Sequence, residues 1–345
     1  MIYLKTLKSG ISTVLLTGII LCIILNPKAR EGGLNGLNLC MNIIIPSLLP
    51  ILIITNILIK TKCTIFLEKL FGWFTVKILR LPICTTSTII FSLIGGYPTG
   101  AILIDHLYST NQIDTNTAKR LMSFCFCGGV AFIITSVGTI TLKNTKLGII
   151  LYLICIITSI LIAIISSFFY PKIVDKKQEY NDYLSLTDAL IEGTQSASKS
   201  MLNMSAYIIL FSSLINTIPL PSKITPIIEI TSGICKNSFL SLNYICAFLA
   251  FGGLCIHFQL LPIIKKTGIK YYEFLLYRIL SSVICFVLTS IYLIFFPQSI
   301  NVFCNITTST PQLYQVNTAL SIIMIISSIA LILDLDTQKN YHLPN

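Results

Sequence analysis

The apolar segment from Thr86 to Ile104 is interrupted at its centre by Gly95-Gly96-Tyr97-Pro98-Thr99-Gly100. Glycine has little helical preference and proline lacks the N–H, so this hexapeptide does not favour continuing a helix. In a chain this apolar, the interruption reads as a helix broken inside a membrane. Unpaired backbone survives there only against protein or beside a watery cavity. Transporters hold substrates at such breaks, so the chemistry expected is recognition by backbone N–H and C=O groups. Further glycine-rich points occur at Gly128-Gly129, at Gly252-Gly253 and at Thr231-Ser232-Gly233. Substrate contact is expected at all of them, with Ser123 close by.

Ionisable and polar residues accompany these breaks. Asp105 closes the broken segment. It would serve an ion or proton if held at depth, where a charge costs roughly 2.5–3.5 kcal/mol on insertion scales, or cap a helix at the rim. Glu229 precedes Thr231-Ser232-Gly233 and would bind a coupling cation or sit as an external-loop charge. His257 and Gln259 follow Gly252-Gly253 in an apolar run, where buried polar groups need partners. They serve either a proton path or hydrogen bonding between helices. In Leu34–Ile59, Pro46-Ser47-Leu48-Leu49-Pro50 is flanked by Asn42 and Asn56. Two prolines four apart each free a carbonyl. The result is a kinked helix that either faces a substrate path or packs on its neighbours.

These residues need an apolar scaffold, and the composition supplies one. Of 345 residues, 54% are hydrophobic and 11% charged, against about 25% charged in ordinary domains. Charge-free stretches long enough to cross a bilayer are Leu34–Ile59, Leu121–Leu142, Leu147–Tyr170, Ile279–Phe296 and Thr310–Leu333. Ser9–Asn26, Ser200–Thr217 and Asn237–Ile264 are shorter or more polar candidates. The expectation is an all-α polytopic membrane protein of about eight spans with two broken or re-entrant segments. Residues 1–345 would form a single integral membrane domain in the lipid bilayer. Lys5, Lys8 and Ile11–Leu25 also resemble a signal peptide, but no small-residue cleavage site follows, which favours a retained first helix.

The twelve cysteines lie mostly in apolar runs and read as small buried hydrophobes. Cys125-Phe126-Cys127 lacks zinc-site spacing, so no metal or cofactor is expected. The excess of Lys and Arg is spread over short loops, which argues against nucleic acid. Walker, His-Glu-x-x-His and Gly-x-Ser-x-Gly sequences are absent, so no enzyme activity is expected.

With the N-terminus inside, all but six of the 24 Lys and Arg fall on the inner side, as the positive-inside rule requires. Lys28, Arg30, Lys143, Lys146, Lys223 and Lys236 are the exceptions. This assumes that Leu81–Ile104 enters and returns. Ser123–Phe132 aligns with Ala247–Ile256, pairing Phe124 with Phe248 and the two Gly-Gly steps. Lys119 and Arg120 precede the first, whereas Lys265 and Lys266 follow the second, so the two run oppositely. The pattern is an inverted repeat, residues 34–170 and 193–296, as in many secondary transporters.

Asn42-x3-Pro46-Ser47-Leu48-Leu49-Pro50, then Gly95-Gly96-Tyr97-Pro98-Thr99-Gly100-Ala101, then Ala118–Phe124 before a glycine-rich helix resembles the sporulation integral membrane protein YlbJ (SpoVV) family. That family lies within the nucleoside-recognition, or Gate, domain group. The resemblance covers roughly Leu34 to Phe296, and Gly-Tyr-Pro-x-Gly-Ala is its most specific part. It implies a membrane protein of endospore formers that moves dipicolinic acid towards the forespore, in the cell membrane or the outer forespore membrane. A nucleoside-like substrate, or a non-transporting scaffold of a sporulation complex, is the alternative. The implied partners are a small-molecule substrate, a second copy of the chain or other sporulation membrane proteins. Phe126 and Val130 stand where relatives tend to carry Asn and Pro.

Overall fold

The computed structural model describes residues 26–169, 184–217, 224–235 and 240–297, with Thr17 and Pro221. The expected spans Ser9–Asn26 and Thr310–Leu333, the loop after Pro297 and the charges Lys223 and Lys236 therefore lie outside the described residues, apart from Thr17, Asn26 and Pro297 themselves. Every element among the described residues is helical.

Helix α1 (Pro27–Leu39) starts at Asn26, whose side chain accepts the Lys28 N–H at 3.0 Å, with Pro27 in the first turn. It continues through a π-helical turn, Cys40–Ile44, into α2 (Ile45–Lys60). The result is one apolar helix of 34 residues. The π turn sits just before Pro46 and relieves the ring clash and missing donor, because Ile45 N–H bonds back to Cys40 O. Residues 60–80 form α3 (Cys63–Trp73) and a π turn, Phe74–Ile78. Phe66, Leu70, Phe71 and Trp73 are exposed while Glu68 is buried. Such a helix suits the membrane interface, which hydropathy reads as loop because of its charges.

Helices α4 (Thr85–Gly95) and α5 (Tyr97–Ser109) form a hairpin about Gly96, whose φ of 88° is open to glycine. Ser92 of one leg packs on Gly100 of the other. Next come α6 (Thr115–Phe124), an unwound stretch 125–129, the π-helix Ala131–Thr141 and α7 (Thr145–Phe169). Leu121–Leu142 is therefore two helical pieces rather than one span. Helix α8 (Leu186–Thr217) is followed by the short α9 (Thr225–Ile228) and α10 (Ile230–Cys235), which fold back so that Gly233 lies against Pro226. Then α11 (Leu242–Phe251) and α12 (Gly253–Lys266) meet at Gly252, and α13 (Tyr271–Phe295) completes the described bundle.

Among the described residues, four segments are long and apolar enough to cross a membrane: Pro27–Lys60, Thr145–Phe169, Leu242–Lys266 and Tyr271–Phe295. The long helix α1–α2 packs antiparallel to α8. Gly32 and Gly36 lie against Ser212, Ser213 and Asn216, and Gly193 lies against Asn56 and Ile57. Ser213 Oγ donates to Ala29 O at 2.8 Å, and Asn216 Nδ2 to Lys28 O at 2.8 Å. Small residues let membrane helices approach closely, which replaces the hydrophobic drive that lipid removes.

Charges gather at one end. Lys60 pairs with Glu192 at 2.5 Å, Lys119 with Glu273 at 2.8 Å and Lys266 with Asp105 at 2.8 Å. Both legs of the α4–α5 hairpin return there, since Arg120 holds the Leu79 and Arg80 carbonyls and Asp105 meets Lys266. Helix α6 leaves this end and α12 arrives at it, so the two broken helices run in opposite directions.

Candidate functional site

The breaks in these helices meet at a cavity of about 30 Å³. Its walls include Gly95, Gly96, Tyr97, Pro98, Gly129, Glu229, Ile230, Thr231 and Gln259, closed on one side by Ile44, Leu48 and Leu52 of the long helix. Apart from Gln259, which lies inside α12, each polar wall residue stands where a helix starts or stops, which explains why so apolar a chain brings backbone groups to its centre.

At its glycines the hairpin tip docks on the unwound stretch backbone to backbone, while the Tyr97 ring packs on Phe126 with centroids 4.8 Å apart. A Cβ on Gly96 would lie 2.6 Å from Gly129 N, and one on Gly129 would lie 2.9 Å from Gly95 O. Gly100 likewise leaves room for the Cys125 carbonyl. No side chain larger than hydrogen fits between these surfaces. Thr99, one turn into α5, is buried and its hydroxyl has no hydrogen-bond partner.

Helix C-termini at the centre carry unpaired carbonyls, and side chains from other helices cap them. Arg278 donates to Phe126 O at 2.7 Å and to Ser123 O, and its guanidinium lies 4.5 Å from the Phe126 ring centroid. It caps the end of α6, where a cation suits the helix dipole. Tyr97 Oη donates to Leu249 O, and His257 Nε2 lies 3.0 Å from Phe251 O, so both serve the end of α11. Tyr152 Oη donates to Leu93 O of α4 at 3.1 Å. The opposite, N–H-bearing ends are treated differently. The first turns of α5, of the π-helix after Gly129 and of α12 point their positive ends inward. Only α10 brings its own anion: Glu229, 1% exposed, accepts the N–H of Thr231 at 2.8 Å and of Ser232 at 2.6 Å, and the Ser232 hydroxyl. The arrangement caps carbonyls and brings N-terminal helix turns to a small cavity, which favours negative charge.

Of the residues singled out by sequence, the structure brings Gly95, Gly96, Tyr97, Pro98, Gly129, Glu229 and Thr231 to the cavity wall. Gly252 and Gly253 pack directly behind it, the first against Phe126 and Tyr97 and the second against Ile230. Gly128, against Tyr97 and Ile133, Gly100, Ser123, Ser232 and Gly233 support the tips without lining the space. Asn42, Pro46 and Pro50 are exposed and Ser47, half-buried, donates to Ile43 O at 2.5 Å. They do not line this cavity, which the opposite face of their helix meets through Ile44, Leu48 and Leu52. Asp105 lies at the charged end with Lys266, away from the centre. His257 is fully buried with both ring nitrogens engaged, Nδ1 lying 3.1 Å from Tyr271 Oη. It is therefore a bracing residue with neither nitrogen open to the cavity.

Sequence reading missed Arg278 and Arg120, counting both as inner-loop charges. They are buried, at 1% and 0% exposure. Arg120 donates to Leu79 O, to Arg80 O at 3.1 Å and to Ser166 Oγ at 3.2 Å. The only signal was their place immediately before the apolar runs Leu121–Leu142 and Ile279–Phe296.

Comparison with known proteins agrees with the resemblance read from the motifs. Over 148 residues the chain is 32% identical to the sporulation integral membrane protein YlbJ of Bacillus subtilis. The match covers 41% of this chain and 36% of the length of that relative. No protein-family description matches, and no solved structure matches. The chain is thus an integral membrane protein similar to a sporulation protein.

Proposed function

We propose that the chain is a permease for a small polar organic anion in sporulation, with dipicolinate as the favoured substrate. The observation that carries this reading is the polarity of the broken-helix ends: carbonyls are capped by Arg278, Tyr97, His257 and Tyr152, while N–H ends converge on the cavity. The opposite running of the two broken helices suits an inverted repeat, with substrate held between the halves. Dipicolinate itself comes from the family resemblance and from the fit of carboxylates to helix N-termini.

Two features sharpen the reading. A cavity of about 30 Å³ holds a water or two, whereas organic ligands occupy roughly 300–1,000 Å³. The structure therefore corresponds to a closed form, and loading requires the hairpin tip to part from Gly129. In addition, Glu229 places a carboxylate in the wall, so a dianion would enter together with a cation or proton. Uptake of labelled dipicolinate into vesicles carrying the purified protein should exceed that of empty vesicles and rise with an inward proton or sodium gradient. Glu229→Gln should keep uptake and lose the gradient dependence. Uptake equal to empty vesicles under every gradient overturns the transport reading. Competition by unlabelled nucleoside would move the substrate class to nucleosides.

The small cavity also favours a second reading, a scaffold for another sporulation complex. It expects substitutions at the tips to act through folding alone, with no loss of activity at matched membrane abundance.

A further inference from the structure

Three thiols from three helices converge away from the cavity. Cys155 of α7, Cys246 of α11 and Cys285 of α13 place their sulfur atoms all within 4.8 Å of one another. They are 3%, 0% and 0% exposed. Cys127, in the unwound stretch, is within hydrogen-bonding reach of Cys155, and Thr158 Oγ1 lies 3.2 Å from Cys285 Sγ. Isolated buried cysteines are simply small apolar side chains. A cluster is different, because each sulfur comes from a separate helix and the group excludes any carboxylate or imidazole.

Metal–sulfur bonds of about 2.3 Å place three sulfurs round one ion roughly 4 Å apart. Sulfurs within 4.8 Å reach that spacing by sub-ångström rotamer adjustments. An all-sulfur donor set selects soft cations over hard ones. Arg278 interacts electrostatically with Cys285 and supplies compensating positive charge. We propose that Cys155, Cys246 and Cys285 form a trithiolate site for one soft d¹⁰ cation of the Cu(I), Zn(II) or Cd(II) class, with Cys127 placed to give a fourth sulfur. Each thiol that ligates gives up its proton to solvent, so loading releases up to one proton per sulfur. With a divalent ion, three thiolates leave a single negative charge, which Arg278 offsets. Bound metal would tie α7 to α11 and α13, and so join the two oppositely running halves behind the cavity. The proposal does not depend on the transport reading.

The test uses the full-length protein, purified in detergent under reducing conditions and titrated with Cd²⁺. The expected result is a thiolate-to-cadmium charge-transfer band that saturates at one ion per chain and a thermal midpoint that rises with loading. Cys246→Ser alone should weaken binding at least tenfold, and Cys155→Ser/Cys246→Ser/Cys285→Ser should abolish the band. Cys63→Ser, in the half-exposed start of α3, should leave it intact. Absence of a band in the folded wild-type protein overturns the proposal, whatever the variants do. So does a band of unchanged strength in folded Cys246→Ser, or an intact mass two hydrogens low with no uptake, which would mark a disulfide.

Discussion

The two broken helices solve one problem in two ways. Between α6 and the π-helix the chain is unwound from Cys125 to Gly129, and the exposed carbonyls of Ser123 and Phe126 are held by a charged group, Arg278. Between α11 and α12 the break is one residue, Gly252 at φ 89°, and neutral donors from Tyr97 and His257 serve the Leu249 and Phe251 carbonyls. A longer break frees more backbone, and only a multi-donor cation satisfies several carbonyls from one position. A short break needs single donors. Phe126 completes the first solution by offering its ring face to the same guanidinium.

Breaking the first solution should have the largest effect. Arg278→Gln leaves carbonyls at Ser123 and Phe126 short of donors in the bundle interior. The loss should be about 3 kcal/mol or more, at 1.5–3 kcal/mol per charge-assisted bond. It would be read as lost folded protein in detergent by size-exclusion chromatography. Arg278→Lys should recover only part, since one ammonium lacks the planar fork.

Next in size is the tip that rests on this break. Gly96→Val combines a positive φ with a Cβ 2.6 Å from Gly129 N. It should undock the hairpin and abolish uptake, while membrane insertion follows the flanking hydrophobicity and persists. Gly100→Val should behave alike. Gly36 does not serve as a control, because a Cβ there would meet Ile209 and Ser212 at 3.0 Å. Gly33→Val, with its nearest neighbour at 3.9 Å, is the fitting control. Full activity of Gly96→Val at matched abundance would remove the tip from the mechanism.

The neutral break should respond less. Tyr97→Phe removes one donor to Leu249 O and should cost about 1 kcal/mol, measured as a lower thermal midpoint. If it matched Arg278→Gln, the contrast between charged and neutral bracing would collapse. The smallest effect is expected at the rim. Asp105→Asn breaks a partly exposed ion pair with Lys266 and should change stability by less than about 1 kcal/mol, fading further in high salt.

The breaks themselves were legible in sequence because glycine and proline act locally. Gly95–Gly100, Gly128-Gly129 and Gly252-Gly253 all fall at helix ends or turns in the structure. Their partners were not legible. Hydropathy scores Arg278 and Arg120 by transfer cost and places them in loops, whereas carbonyls from segments distant in sequence offset that cost. Glu229 was open between loop charge and buried carboxylate, since the amides of Thr231 and Ser232 that stabilise it arise only once α10 starts there. The Pro46–Pro50 helix misled for a related reason. Proline marks freed backbone but not the face it occupies, and the π turn at Cys40–Ile44 absorbed the strain on the outer side.

The glycine-on-glycine contact between Gly95-Gly96 and Gly128-Gly129 also works as a release plane. Along α1–α8, serine, asparagine and isoleucine side chains from one helix fill the hollows at Gly32 and Gly36 on the other. Sliding that seam would forfeit many dispersion contacts at once. Where the tip meets the unwound stretch, backbone lies on backbone at Gly96 and Gly129, and the interlocking falls to Tyr97, whose ring centroid sits 4.8 Å from that of Phe126. Parting the two surfaces would cost that ring contact along the wall of the cavity, with packed helices on either side to carry the movement.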